Sequence, residues 1–249
     1  MSHPLAWLTA RPIAHRGLHD AAAGVIENTA GAIKAAVERG YGVEVDVQIS
    51  ADGEAMVHHD DTLGRLTDGD ARLDRMTAAE LRRVAFRGSD ERMLTLGELC
   101  DLLAGRGTML VELKSRFDSD RRLAARVAEI LTSYRGPVAP MSFDPGQIRM
   151  LRHAAPRLTL GLVAARYRPD RHWQQILQRL RQGIGYWGAA AAARPQFLAY
   201  SVADLPALAP FLARRMLGMP LLTWTVRTDE QRRRAERFAD QMIFEGFRP

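Results

Sequence analysis

The chain has 249 residues, of which 47% are hydrophobic and 26% are charged, a composition typical of a folded globular protein. Its formal net charge is +6, from 35 basic and 29 acidic residues. The arginines are dispersed over the predicted helices and do not form a tail or stripe, so nucleic-acid binding is not expected. A single cysteine, Cys100, excludes an intrachain disulfide framework.

Two further features of the sequence bear on its location. No stretch approaches the ~18 consecutive apolar residues that a membrane-spanning helix needs. Residues Met1–Arg11 lack the apolar core and small-residue cleavage site of a secretory signal peptide. We therefore expect a cytoplasmic protein without stable membrane insertion. The oligomeric state is left open by the sequence.

The first half of the chain alternates between strand and helix patterns, with apolar periodicity, turn residues and capping residues as the signals. The predicted elements are a strand at Pro12–Ala14, a helix with Asn28 as N-cap that ends near Arg39, a strand at Tyr41–Ile49, a turn at Ala51–Gly53, a return strand at Glu54–His58, and short helices that begin with capping boxes at Thr77–Glu80 and Thr95–Glu98.

The second half continues the alternation. The predicted strands are Thr108–Leu113, Val138–Phe143, Leu158–Ala164, Gln196–Ser201, Leu221–Val226 and Gln241–Phe244. The predicted helices are Asp120–Tyr134, Gln147–His153, Asp170–Gln182, Leu205–Leu217 and Asp229–Phe238, with Ala189–Ala193 as a weak helix or loop. Gly183–Gly188 has the spacing of a dinucleotide-binding loop, but a polar helix and not a strand precedes it, so a flexible loop is predicted.

Counting the main strands gives eight units, which predicts an α/β fold with parallel strands closed into a TIM (β/α)8 barrel. A doubly wound open sheet is the alternative. No low-complexity linker marks a second domain, so residues 1–249 are expected to form a single domain. Residues 63–94 interrupt the alternation between the second and third barrel strands and predict a small insertion there.

Two carboxylates are the first candidate site. Glu44 and Asp46 lie two apart on a predicted strand, so both side chains point to the same face. Side-by-side carboxylates at the mouth of a buried sheet require a cationic neighbour, and oxygen ligands suit Mg²⁺ or Ca²⁺. The alternative is a solvated edge strand, which the valines on the opposite face disfavour.

Glu112 and Lys114 repeat this spacing on another apolar strand. Glu112 is a candidate third metal ligand, and Lys114 offers a point charge for a phosphate oxygen. The alternative interpretation of these two residues is a simple ion pair at a strand end.

Histidine and arginine follow the first strand as His15-Arg16-Gly17. A histidine can exchange protons near neutral pH, the arginine fork suits phosphate oxygens, and Gly17 permits a sharp turn. A second candidate comes from the consecutive His58 and His59, which face opposite ways if their strand continues.

These clusters together resemble the glycerophosphodiester phosphodiesterase family. The matching motifs are His15-Arg16-Gly17, Glu27-Asn28-Thr29, Glu44-Val45-Asp46-Val47, Asp52-Gly53, the run from His59 to Thr67, Glu112-Leu113-Lys114, Ser142-Phe143 and Trp224-Thr225-Val226. Two departures occur: Ile243-Phe244-Glu245-Gly246 stands where many relatives end in Thr-Asp, and Arg227 replaces a frequent asparagine. Both lie at the barrel rim, so we expect them to bear on substrate identity.

The resemblance implies a TIM barrel with one divalent cation, Mg²⁺ or Ca²⁺. The implied site residues are Glu44, Asp46 and Glu112 as metal ligands, His15 and His59 as the acid–base pair, Arg16 and Lys114 as phosphate ligands, and Trp224 as part of the substrate pocket. The family spacing selects His59 as catalytic and leaves His58 a structural role.

The function that this implies is hydrolysis of glycerophosphodiesters, a small-molecule substrate class, to glycerol 3-phosphate and an alcohol. One alternative is a lipid phosphodiesterase of the lysophospholipase D or sphingomyelinase D type, which needs an apolar groove or a membrane-docking surface. The other is a barrel that binds phosphate esters without catalysis, which the full set of two histidines and three carboxylates disfavours.

Overall fold

The computed structural model describes residues 4–166 and 185–249. The strands in this part of the chain are β1 Ile13–His15, β2 Gly42–Ile49, β3 Ala55–Val57, β4 Met109–Leu113, β5 Val138–Ser142, β6 Gly161–Ala164, β7 Phe197–Ser201, β8 Leu221–Val226 and β9 Gln241–Phe244. The helices are α1 Ala6–Thr9, α2 Ala30–Glu38, α3 Ala78–Leu81, α4 Leu96–Leu103, α5 Arg122–Ser133, α6 Pro145–Ala154, α7 Gly185–Ala193, α8 Leu208–Met216 and α9 Asp229–Phe238.

Eight of these strands form a closed parallel barrel. Hydrogen bonding runs in the order β1, β9, β8, β7, β6, β5, β4, β2, and β2 pairs again with β1. In the closing register, Ile13 of β1 lies beside Gly42 of β2 and Ile243 of β9. The prediction of a TIM barrel is confirmed, and the open doubly wound sheet is wrong, because β1 has a partner on each edge.

The additional strand β3 pairs with β2 in the antiparallel direction, with Val47 opposite Val57. Strand β4 pairs with the opposite edge of β2. Strand β3 therefore lies on the same edge of β2 as β1, but pairs with residues nearer the end of β2. This is the return strand predicted after the turn at Ala51–Gly53.

Two apolar layers hold the barrel together. One lies between the strands and the surrounding helices, where Val43, Val45 and Val47 of β2 pack. The other fills the barrel interior and includes Leu110, Phe197 and other fully buried side chains. Since side chains alternate along a strand, the face of β2 opposite the valines presents Glu44 and Asp46 to the barrel interior. Their strand is therefore central and buried, and the solvated-edge alternative is wrong.

Residues 63–94 form the predicted insertion, which lies after β3 and before β4. Since β3 is not part of the barrel, β2 and β4 are the second and third barrel strands. The buried apolar side chains of the insertion, together with two from the barrel side, make a small cluster that comprises Ile26, Met56, Leu63, Leu73, Leu81, Phe86 and Met93. The capping box that opens α3 is formed, with Thr77 Oγ1 accepting from the Glu80 amide, and that of α4 is formed in the same way by Thr95 and Glu98.

Three local predictions need comment. Thr29, and not Asn28, is the N-cap of α2, because the Asn28 side chain is used elsewhere. Within the described residues, helix α7 covers Gly185–Ala193, so residues 185–188 of the predicted flexible loop are helical. The predicted helix Asp170–Gln182 lies outside the described residues.

The turn after β1 requires a glycine, as the sequence predicts. Gly17 has a φ of +77°, and a Cβ at this position would lie 2.7 Å from the carbonyl carbon of Ala32. Both the left-handed backbone and the close approach of α2 exclude a side chain here. The turn thereby holds the His15-Arg16 pair against the start of α2.

None of the helices in the described residues is long and apolar enough to cross a membrane.

Candidate active site

A cavity of about 1160 Å³ opens at the carboxyl ends of the barrel strands, where active sites of TIM barrels are formed. Seven of the eight predicted site residues line it: His15, Arg16, Glu44, His59, Glu112, Lys114 and Trp224. Asp46 is fully buried and contacts two of those seven. The insertion contributes to the rim through Leu63, Arg65 and Arg72.

Three carboxylates meet at the base of this cavity. Glu44, Asp46 and Glu112 are all buried, and one oxygen from each lies within 4.8 Å of the others. The parallel register of β2 and β4 places Asp46 directly beside Glu112. The structure therefore assembles the acidic cluster that the two i, i+2 patterns predict.

Lys114 and Arg16 are the cations that compensate these charges. Lys114 Nζ lies 2.7 Å from Asp46 Oδ1 and 2.5 Å from Glu112 Oε1. Arg16 Nε lies 3.1 Å from Asp46 Oδ2, and the Arg16 amide donates to Glu44 Oε2 at 3.1 Å. The ion pair between Glu112 and Lys114 is thus present, but Lys114 also contacts the neighbouring strand through Asp46.

Burial and charge act differently on the carboxylates of β2. Burial alone would raise the pKa of Asp46, but Lys114 and Arg16 outweigh it and hold that pKa well below its usual value. Burial also raises the pKa of Glu44, and the negative charges of Asp46 and Glu112 raise it further. Within the described residues, Glu44 Oε1 is buried without a hydrogen-bond partner. A buried, unpartnered carboxylate oxygen beside two other carboxylates suits a hard divalent cation.

Asn28 fixes the position of Asp46. Its side-chain amide donates to Asp46 Oδ2 at 3.0 Å, and its Oδ1 accepts from the Asp46 backbone amide at 3.2 Å. Asn28 has a φ of +60°, a conformation that asparagine tolerates better than most residues. The sequence signal for this role of Asn28 is the Glu27-Asn28-Thr29 motif, whereas the positive φ is visible only in the structure.

The two predicted histidines lie on different elements of the same cavity. His15 ends β1, and its Nε2 is 3.9 Å from Glu44 Oε2. His59 follows β3, and its Nδ1 is 2.7 Å from Asp60 Oδ1. His15 also has a second carboxylate neighbour, because its Nδ1 lies 2.7 Å from Glu245 Oε2.

His58 occupies a different environment. The residue is 2% exposed, and the centroid of its ring lies 6.3 Å from that of Phe86, a residue of the insertion. Burial of the ring lowers its pKa to about 4. Among the described residues, His59 lines the cavity and His58 does not.

A chain of ion pairs joins the two sides of the site. Arg16 Nη1 lies 2.7 Å from Glu27 Oε1. Arg65 of the insertion contacts the same Glu27 oxygen at 2.6 Å and Asp60 Oδ2 at 2.6 Å. The insertion is therefore connected to the candidate phosphate ligand Arg16 and to the partner of His59. Both Arg65 and Asp60 belong to the motif that runs from His59 to Thr67, but the sequence alone indicates no role for either.

Aromatic side chains form another wall. Trp224 and Phe143 both line the cavity, with ring centroids 5.5 Å apart in an edge-to-face arrangement. Trp224 Nε1 donates to the Ala199 carbonyl oxygen at 3.1 Å, which fixes the plane of the indole.

A model of the glycerophosphoryl diester phosphodiesterase family matches residues 15–244 of the chain. The chain belongs to this family. The matched range runs from His15, the last residue of β1, to the end of β9 and includes every predicted site residue.

Two curated relatives within the family share parts of the sequence. A glycerophosphodiester phosphodiesterase from Caldanaerobacter subterraneus is 30% identical over 161 residues, which are 61% of this chain and 65% of the relative. Rat glycerophosphodiester phosphodiesterase 1 is 37% identical over 117 residues, 43% of this chain and 34% of the relative. The chain thus matches less than two thirds of the length of these relatives.

Solved structures of family members share the fold. A phosphodiesterase from Oleispira antarctica, solved in complex with its product sn-glycerol 3-phosphate, has a TM-score of 0.74 at 22% identity and covers 96% of this chain and 94% of its own. A glycerophosphodiester phosphodiesterase from Thermotoga maritima has a TM-score of 0.67 at 24% identity and covers 93% and 92%.

Because His58 is buried in its neutral form, we expect the stability of the protein to fall at acidic pH. An unfolded histidine binds a proton near pH 6.5, whereas folded His58 does so only near 4, so its contribution to stability is lost as pH falls through this window. We expect the free energy of unfolding to drop by about 3 kcal/mol from this group, at 1.36 kcal/mol per pKa unit.

This prediction is checked by denaturant unfolding at pH 7.5 and pH 4. These conditions span the interval of about 2.5 pKa units between unfolded and folded His58. His58→Gln should lose part of the acid destabilisation, while His153→Gln, which replaces an exposed histidine, should not. Equal pH dependence in His58→Gln and the unaltered protein would contradict the buried neutral state.

Proposed function

We propose that the chain is a metal-dependent phosphodiesterase that hydrolyses glycerophosphodiesters to glycerol 3-phosphate and an alcohol. The observation that carries this proposal is the convergence of three buried carboxylates within 4.8 Å with two histidines, Arg16 and Lys114 at one cavity. The family membership of the chain and the product bound to the Oleispira relative support the same substrate class. We propose further that residues 1–249 act as one domain.

Glu44, Asp46 and Glu112 would hold one divalent cation, Mg²⁺ or Ca²⁺. When bound, such a cation would neutralise phosphate charge and orient the attacking oxygen. The donor set fits, because all three ligands are carboxylates and Glu44 Oε1 has no hydrogen-bond partner in the described parts of the chain.

Arg16 and Lys114 would bind the phosphate oxygens. Both side chains line the cavity and are held at its base by contacts with Asp46. The guanidinium presents several N–H donors in a fixed plane, and the ammonium adds a compact charge. Trp224 would lie beside the alcohol portion of the substrate.

His15 and His59 would carry the acid–base steps. One histidine takes a proton from the attacking oxygen, and the other protonates the leaving alkoxide. Attack by water gives glycerol 3-phosphate directly, whereas attack by a hydroxyl of the glycerol moiety gives a cyclic phosphate that water then opens to glycerol 3-phosphate. In His15 the nitrogen available for this is Nε2, since Nδ1 contacts Glu245 at 2.7 Å.

A lipid phosphodiesterase is the second candidate, and one observation favours it. Large hydrophobic side chains are exposed on and directly after α8, namely Leu208 71%, Phe211 56%, Leu212 44%, Met216 74% and Leu217 72%. Such a surface is typical of proteins that act at interfaces.

The decisive assay uses purified protein with glycerophosphocholine and with lysophosphatidylcholine, each with and without EDTA. We expect glycerol 3-phosphate from the first substrate, loss of activity with the chelator, and recovery when Mg²⁺ or Ca²⁺ is added back. Preference for lysophosphatidylcholine would favour the lipid phosphodiesterase. Binding without turnover would favour a non-catalytic barrel, and full turnover in metal-free protein would contradict the metal assignment.

Glu112→Gln should weaken metal binding more than folding, because it preserves shape and removes one negative charge. Without added metal we expect a melting temperature close to that of the unaltered protein. Added Mg²⁺ or Ca²⁺ should then raise the melting temperature less than in the unaltered protein, since a ligand that binds only the folded state stabilises it. Glu98→Gln, at a helix start outside the cavity lining, serves as the control. An undiminished metal-induced shift in Glu112→Gln would place Glu112 outside the site.

His59→Ala should lower kcat by roughly 10²–10⁴-fold, the usual contribution of a general acid or base. His58→Ala should lose much less activity, in proportion to its loss of stability, because this ring is buried away from the cavity. Initial rates of both variants, measured where melting curves show folded protein, check the assignment. An inactive His58→Ala beside an active His59→Ala would reverse it.

A further inference from the structure

Glu245, one of the two departures from the family pattern, lies beside His15. It directly follows β9, and the pairing of β9 with β1 places Phe244 opposite Ala14. The Glu245 amide donates to the Val226 carbonyl oxygen of β8 at 2.9 Å. The backbone amide of Glu245 is therefore held by β8, directly after the residues that pair with β1, and its side chain reaches His15 at the end of β1.

One oxygen of Glu245 connects two side chains. Glu245 Oε2 lies 2.7 Å from His15 Nδ1 and 2.9 Å from Arg227 Nη2. Arg227 is the other departure from the family pattern, and it follows β8. The two unusual residues are thus partners in one ion pair, and that pair contacts a predicted catalytic residue.

The contact between Glu245 and His15 bears on which ring nitrogen of His15 carries a proton. Burial would raise the pKa of Glu245, but the hydrogen bond from His15 and the charges of His15 and Arg227 lower it to about 2. An ionised carboxylate only accepts hydrogen bonds, so Nδ1 of His15 is the donor. The opposite nitrogen, Nε2, then faces the acidic cluster, 3.9 Å from Glu44 Oε2.

We propose that Glu245 is a positioning residue that fixes the orientation and tautomer of His15, and that Arg227 holds Glu245 in place. The inference builds on the proposed function, in which Nε2 of His15 exchanges a proton with substrate or water. A histidine whose Nδ1–H is anchored keeps Nε2 free for this exchange in a single orientation. Without the anchor, the ring rotates and populates the wrong tautomer.

A spectroscopic test is independent of activity. In ¹⁵N-labelled protein at alkaline pH, the ring signals of His15, assigned by their loss in His15→Gln, should report a proton on Nδ1. Glu245→Ala should shift this ring toward the other tautomer. Glu245→Gln, which keeps an acceptor oxygen, should retain part of the original signal, and Arg227→Gln should give a smaller change. An unchanged His15 tautomer in Glu245→Ala would overturn the proposal.

A matched control is available on α9. Glu236 forms a comparable ion pair with Arg232 at 3.0 Å, away from the cavity lining. Glu236→Gln and Arg232→Gln should alter neither the His15 signals nor the kinetics. A His15 change in these variants would mean that loss of any such ion pair perturbs the ring, and would also overturn the proposal.

The kinetic test separates positioning from substrate binding. Glu245→Ala should lower kcat by about 10–100-fold with little change in KM, the usual cost of removing a partner that orients a functional histidine. In a His15→Ala background the same substitution should cost no further activity, because its effect passes through His15. A raised KM with unchanged kcat, or additive losses, would instead make Glu245 a substrate ligand.

The two proposals fail in different ways. If the unaltered protein hydrolyses no diester, the proposed function fails, while the His15 tautomer still shows whether Glu245 positions the ring. If Glu245→Ala does not fold, as judged by its melting curve, Glu245→Gln and Arg227→Gln carry the same comparison.

Discussion

Charge compensation at the base of the cavity is the constraint on which the site depends. Three carboxylates are buried where β2 and β4 meet, and burying an ionised carboxylate without a partner costs several kcal/mol. Lys114 and Arg16 compensate this penalty only in part. They lower the pKa of Asp46, but the pKa of Glu44 remains raised. The cluster is therefore short of positive charge. A divalent cation and an anionic phosphate ester together are a chemical solution to this imbalance.

The barrel supplies the geometry for this cluster, and the segment after β3, which includes the insertion, supplies part of the cavity rim. Carboxyl ends of parallel strands meet at one face of the barrel, so side chains distant in sequence converge there without help from loops. The rim is different, because Arg65 and Asp60 come from the segment after β3 and connect His59 with Glu27 and Arg16. Displacement of the insertion would therefore disturb the contacts of His59 and of Arg16, the proposed phosphate ligand.

The departures of this chain from the family pattern also have a structural logic. Arg227 and Glu245 both stand at the rim, in the two segments where the chain departs from the family pattern. In the structure they form an ion pair at 2.9 Å, and the carboxylate of that pair reaches His15. Within this pair, the positive charge of Arg227 is balanced by the negative charge of Glu245. Our expectation that they bear on substrate identity stays a prediction.

Local features of the sequence determined most of the fold and the acidic cluster. Alternating strands and helices predict the barrel, and the capping boxes at Thr77 and Thr95 fix helix starts. The i, i+2 spacing on β2 places Glu44 and Asp46 on one face. All of these features depend on residues a few positions apart in the sequence. Closure of the barrel decided the rest. Asn28 contacts Asp46 and does not cap α2, and Glu245 reaches His15 across 230 positions, because β1 lies between β2 and β9 only when the sheet is closed.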